Sequence, residues 1–279
     1  MTTTLSALFA GLIAMVVPWL VEKLGGRLGG VIGTLPTTIV PAVAGIWLAT
    51  GNPEALAIAM AAVPAGMLVD AGFLYTWRVL PPRLPGGPLW QRLALVSVAS
   101  LATWAVLALM TLRGVEVALS AGITPVLLGI GFIALHLLVG ILACLGDLPA
   151  PKGRNPVSLS GLAARGLLAA LAVGGSVAIA GLDLPALAGL SSVFPAIFLT
   201  TMISLWWAQG EAVQAGAVGP MMLGGASVGG YALVAMWSLP NLGLVAGSGL
   251  AWLVAVCLFT APSALWLQRK GGRLSLIHI

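Results

Sequence analysis

Residues Gly29 to Trp47 read GGVIGTLPTTIVPAVAGIW, an apolar stretch interrupted by Pro36, Pro41, four glycines and the threonines Thr34, Thr37 and Thr38. Proline in a helix interior removes one i to i−4 hydrogen bond and pushes a carbonyl aside. In lipid the freed backbone groups must meet another protein group, a water or an ion. A helix that only anchors a protein has no use for such interruptions. A weaker copy stands at Gly189 to Trp206, GLSSVFPAIFLTTMISLW. There Gly189 lies six residues before Pro195 and Trp206 eleven after it, the offsets that Gly30 and Trp47 keep from Pro36.

The whole chain is of this kind. Of its 279 residues 60% are hydrophobic and 7% charged, whereas soluble domains carry about 25% charge. Apolar runs of about 18 residues or more recur, long enough to cross about 30 Å of hydrocarbon. No alternating β-barrel pattern is present, so helices remain to satisfy the backbone in lipid. The reading is an all-α, polytopic membrane protein with the lipid bilayer as its surroundings. The 37 glycines suit close helix contact. The net charge of +5 comes from small scattered groups between apolar runs; it reads as topology information, with no nucleic-acid surface. Cys144 and Cys257 fall in apolar segments without a CxxC partner and read as small buried hydrophobes. The opening MTTTLSALFAGL lacks a basic n-region and a cleavage site, and reads as the start of the first span.

Nine spans are predicted: about 5–20, 28–50, 55–80, 93–112 and 117–145, then about 162–179, 187–208, 212–237 and 242–267. The polar connection GDLPAPKGRNPVSLS separates five spans from four. This gives a first repeat over 1–148, a cytoplasmic linker over 149–160 and a second repeat over 161–273. With the N-terminus outside, Lys23, Arg27, Arg78, Arg83, Arg92, Lys152, Arg154, Arg165, Arg269, Lys270 and Arg273 fall on the inner side and only Arg113 outside. That bias is the one expected of a bacterial inner or plasma membrane.

The halves share more than one stretch. AVPAGML runs on to WRVLP, with Pro81 17 residues after Pro64, and VGPMMLGG runs on to WSLP, with Pro240 20 residues after Pro220. An offset of five spans would turn the second copy over, giving an inverted-topology repeat as in many alternating-access carriers. Chance likeness between glycine-rich apolar segments is the competing explanation. Inversion calls for a tenth span, which the chain lacks. Its last residues, LSLIHI (Leu274 to Ile279), resemble the translated end of a transposon-based sequencing adapter, and on that resemblance the chain is expected to be truncated.

The candidate site follows from the interruptions. Thr34, Pro36, Thr37 and Thr38 in span 2, with Ser191, Ser192, Pro195, Thr200 and Thr201 in span 7, would line a polar site where two broken helices meet. Alternatively the hydroxyls bond their own i−4 carbonyls and the breaks serve packing. Asp70 is the only acidic residue well inside a predicted span, where a carboxylate costs about 2.5–3.5 kcal/mol. It should face a cavity and could couple transport to a proton or cation, since no embedded lysine or arginine is expected near it. The other course is a local bond to Tyr75, Thr76 or a freed carbonyl. His136 in span 5 is a proton relay, a solute donor or an interhelical bond.

No phosphate loop, dinucleotide fingerprint, HExxH or GxSxG elbow occurs, and no metal or cofactor is expected. The sequence favours a secondary transporter, proton- or cation-coupled, for a small solute or ion, and not an enzyme. A channel-like permease or a structural subunit of a membrane complex stands as the alternative, and a homodimer is one assembly left open.

Overall fold

The computed structural model describes residues 2–24, 35–145 and 159–277, and every regular element among them is helical. In chain order they are α1 (Thr2–Leu24), α2 (Ile39–Thr50), α3 (Pro53–Val79), a 3-10 turn (Pro81–Arg83), α4 (Leu89–Ser120) and α5 (Pro125–Leu145). After the linker come α6 (Leu159–Ala180), α7 (Pro185–Ser191), α8 (Ala196–Gln209), α9 (Glu211–Ala255), a π turn (Val256–Thr260) and α10 (Ala261–Ile277).

α3 is the central helix, packed by α4, α5, α7 and α9. Its start is set by Asn52, whose side chain accepts from the Glu54 N–H at 2.9 Å, with Pro53 in the first turn. Both features satisfy or remove N–H groups that a helix start leaves unpaired. Small residues let α3 be approached closely. Gly189 of α7 lies so near the Ala59 carbonyl that a Cβ there would come closer than 3.0 Å. α1 packs against α6, and α2 fits between α1, α6 and α9.

The outer surface is apolar. Leu95, Val98, Leu109 and Met110 of α4, and Leu127, Leu138 and Leu142 of α5, are exposed. A continuous apolar exterior around a packed interior suits lipid and not water. The chain is a polytopic helical membrane protein.

Among the described residues six segments are long and apolar enough to cross a membrane: Pro53–Arg83, Leu89–Ser120, Pro125–Leu145, Leu159–Ala180, Pro185–Gln209 and Glu211–Lys270. This corrects the nine spans, five plus four with a missing tenth, expected from the sequence. At the first two expected spans the apolar stretches are shorter among the described residues, Thr3–Val16 within α1 and Ile39–Thr50. The last two form one helical element of 60 residues. That element turns at Gly243, whose φ of 77° lies in the left-handed region open to glycine. Its two arms then pack on each other: Ser238 Oγ donates to the Gly247 carbonyl at 2.9 Å, and the Phe259 ring lies against Gly230. The inverted-topology repeat rests on the nine-span count and is not carried further.

Two smaller expectations change as well. The turn placed between spans 4 and 5 near Arg113 is helical, with Arg113 and Glu116 paired at 2.9 Å one turn apart. The chain reverses later, at Gly122 with φ 85° and before Pro125. Cys144 is buried as expected, but Cys257 is exposed on the outer surface. Of the linker expected over 149–160, residues 149–158 lie outside the described residues and 159–160 belong to α6.

One end of the bundle collects basic groups. Arg78 donates to the Ala143 carbonyl at 2.9 Å, Lys270 to the Cys144 carbonyl, and Arg92 pairs with Glu211 at 2.9 Å. Arg113 sits toward the other end of α4.

Candidate functional site

Two helices begin inside the bundle, and prolines are the reason. At the first, the Thr37 N–H donates to the Leu35 carbonyl at 2.8 Å, and α2 starts only at Ile39, after Thr38. Pro41 falls in that first turn, where its missing N–H costs no helical bond. At the second, α7 ends at Ser191 and the chain passes through Ser192 to Pro195 before α8 begins. Pro195 has no N–H to continue α7, and its carbonyl accepts the first bond of α8, from Leu199 at 2.8 Å.

Both starts abut one cavity of about 500 Å³. Thr37, Thr38 and Ile39 reach it from α2, and Ser192 to Phe198 and Thr201 from the second break. From the cavity the two helices run to opposite ends of the bundle. Gly45 of α2 lies against Ser6 and Val177, while Trp206 of α8 lies beside Arg92 at the basic end. Their first N–H groups are unpaired within the helix and carry the positive end of each helix dipole.

Asp70 lies on the cavity wall, 2% exposed, in the middle of α3. Its Oδ1 accepts from Trp104 Nε1 of α4 at 2.8 Å. The expected alternatives, Tyr75 and Thr76, do not hold it; Thr76 donates to the Gly72 carbonyl at 3.1 Å. The Trp104 ring meets Phe194 edge to face, with centroids 5.1 Å apart. The carboxylate is thus tied through one indole to a residue of the second break.

The charged residue that sequence reading misplaces is Arg165. It was expected at the inner edge of span 6, with no embedded basic group near Asp70. The structure puts it 7% exposed on the same cavity wall. Its Nη2 donates to Thr201 Oγ1 at 2.8 Å and its Nε to Thr200 Oγ1 at 3.4 Å. Arg165, Ala169, Ala172 and Val173 all face the cavity, the spacing of one helix face. That spacing was the available signal, hidden because a lone arginine near a span end also reads as a topology marker. Among the described residues neither Asp70 nor Arg165 makes an ion pair.

Of the expected site residues, the cavity brings together Thr37, Thr38, Asp70, Ser192, Pro195 and Thr201. Pro36 and Ser191 are their chain neighbours but do not line it. Thr34 lies outside the described residues. Ser192 donates to the Gly189 carbonyl at 2.6 Å and Thr200 to the Ala196 carbonyl at 2.9 Å, the back-bonding weighed against a site role. Thr200 still accepts from Arg165, so both uses coexist. His136 stands behind the cavity wall, its Nε2 donating to the Met222 carbonyl at 2.7 Å. The structure therefore gives it an interhelical bond between α5 and α9. Among the described residues no three of His, Cys, Asp and Glu gather into a metal-binding group.

Nearer the basic end, and not lining the cavity, stands an aromatic layer. Arg92 lies 5.2 Å from the Trp206 ring centre, Trp206 meets Trp77 edge to face at 6.1 Å, and Gln214 donates to the Trp77 carbonyl at 2.9 Å. With the geometry in hand, the chain matches no protein-family model, no curated protein and no solved structure.

Proposed function

We propose that the protein is a secondary carrier of a small solute, with the cavity between the two chain breaks as its binding site. One observation carries the reading: two helix starts, one buried carboxylate and one buried guanidinium converge on a single cavity of about 500 Å³. A cavity of that size matches small-molecule sites, which combine apolar walls with a few placed polar groups. Irregular backbone at membrane depth is tolerated where it lines such a cavity. Asp70 is the residue through which a proton or cation would be coupled. The Arg92, Trp206 and Trp77 layer would close the path to the basic end, which the positive-inside bias assigns to the cytoplasm of a bacterial cell.

A channel-like permease on the same scaffold is the second reading, favoured by the threonine and serine hydroxyls that already bond their own helices. The test is initial-rate flux into proteoliposomes across a panel of small solutes, with and without a proton gradient. The carrier reading expects saturable, solute-specific uptake that responds to the gradient and is lost in Asp70→Asn. Flux indifferent to the gradient would favour the permease. No solute-specific flux at all would remove both.

A further inference from the structure

We propose that the solute is a small zwitterion with an apolar body, its ammonium group against Asp70 and its acid group against Arg165. This deepens the carrier reading and rests on it.

The inference comes from charge. Asp70 and Arg165 belong to α3 and α6, line the same cavity and are both more than nine-tenths buried. Among the described residues Asp70 has a single hydrogen bond, from a neutral indole, and Arg165 is held only by two hydroxyls. Among the described residues neither has an ion-pair partner. Buried charges without partners are costly, and the cost rises as water leaves a closing site. A neutral solute would leave both charges uncompensated. A lone anion or lone cation would answer one of them. A zwitterion answers both and brings no net charge into the bundle.

The surroundings fit each half of such a molecule. Arg165 bonds Thr201 of α8, and the first N–H groups of α8 and α2, which abut the cavity, favour an anionic group within it. An ionised Asp70 offers acceptors and no donor, which suits an ammonium group. Much of the remaining wall is apolar, with Ile13, Met67, Val173, Val193 and Phe194. About 500 Å³ leaves room for a side chain of leucine or phenylalanine size.

The test is equilibrium binding to the purified full-length protein in detergent, using L-leucine and L-phenylalanine as probes. Phenethylamine and 3-phenylpropionate are the one-charge analogues of phenylalanine. The expected result is that a zwitterion binds and each analogue binds about tenfold or more weakly. Asp70→Asn should weaken phenylalanine by a similar factor while leaving 3-phenylpropionate within about twofold; Arg165→Gln should do the converse with phenethylamine. The wild-type comparison stands even if a variant fails to fold. Analogues that bind as well as phenylalanine would overturn the proposal, since the two charges would then compensate each other through water. If neither zwitterion binds but a sugar or monocarboxylate is taken up by proteoliposomes, the zwitterion fails and the carrier reading survives. If nothing binds and nothing is taken up, both fail.

Discussion

Arg165→Met separates a guanidinium placed for a ligand from one that braces the fold. Burying the charge without a counter-ion costs up to about 2.5–3.5 kcal/mol on the insertion scale, and less toward a helix end. Arg165 sits near the start of α6. Against this stand two hydrogen bonds, one of ordinary length at 2.8 Å and one long at 3.4 Å. Bonds from a charged donor contribute about 1.5–3 kcal/mol each, with the long one at or below the bottom of that range. Removing the side chain strands little. Thr200 keeps its bond to the Ala196 carbonyl, and Thr201 faces the cavity. The methionine fills much of the same volume. The opposing contributions cancel to within about 1 kcal/mol, so the melting temperature should move by no more than about 2–4 °C. Solute uptake should fall to background in the same preparation. The assay is thermal unfolding in detergent followed by intrinsic tryptophan fluorescence, paired with proteoliposome flux. A fall of 10 °C or more, on the order of 3 kcal/mol or above, would refute the reasoning and make Arg165 a structural brace.

Other substitutions test neighbouring parts of the account. Gly189→Ala should force α7 off the Ala59 carbonyl and destabilise the protein by about 1–3 kcal/mol or more, read as a lower melting temperature. Trp104→Phe removes the indole hydrogen bond to Asp70 and should cost about 1–3 kcal/mol and raise the KM for uptake several-fold; an unchanged KM would show that the indole does not set the carboxylate. His136→Ala should lower stability by about 2–4 kcal/mol through the lost bond to Met222 and the space left behind. Its uptake should keep the wild-type pH profile, whereas a relay role would change that profile.

Membrane residence and helical class are legible in the sequence because they depend on composition and run length alone. The two proline stretches are legible for a local reason as well: a missing N–H at Pro36, Pro41 and Pro195 favours a helix start there, whereas Pro64, Pro220 and Pro240 are carried inside α3 and α9. The span count is not. It depends on where each proline lets its helix start, and α2 runs 12 residues from Ile39 to Thr50. It depends too on Gly243, whose turn leaves one 60-residue helical element where two were expected. Asp70 was visible as an acid with nowhere to hide, but its partner Trp104 is 34 residues away and no local pattern joins them. Arg165 shows the limit most plainly. A basic residue near a span end satisfies the charge rule for topology, and only packing against α8 shows that it faces inward.

The central claim is that the two chain breaks open onto one water-accessible cavity that holds the solute. Thr38 and Thr201 line it, one from each break. Each can be replaced by cysteine in a background with Cys144→Ala and Cys257→Ala, and its labelling rate by a small charged thiol reagent measured in membranes. Both sites should label, and any solute that is taken up should slow both together. Two unreactive thiols, or labelling that a transported solute leaves untouched, would mean that the breaks are packed dry and that the binding site lies elsewhere.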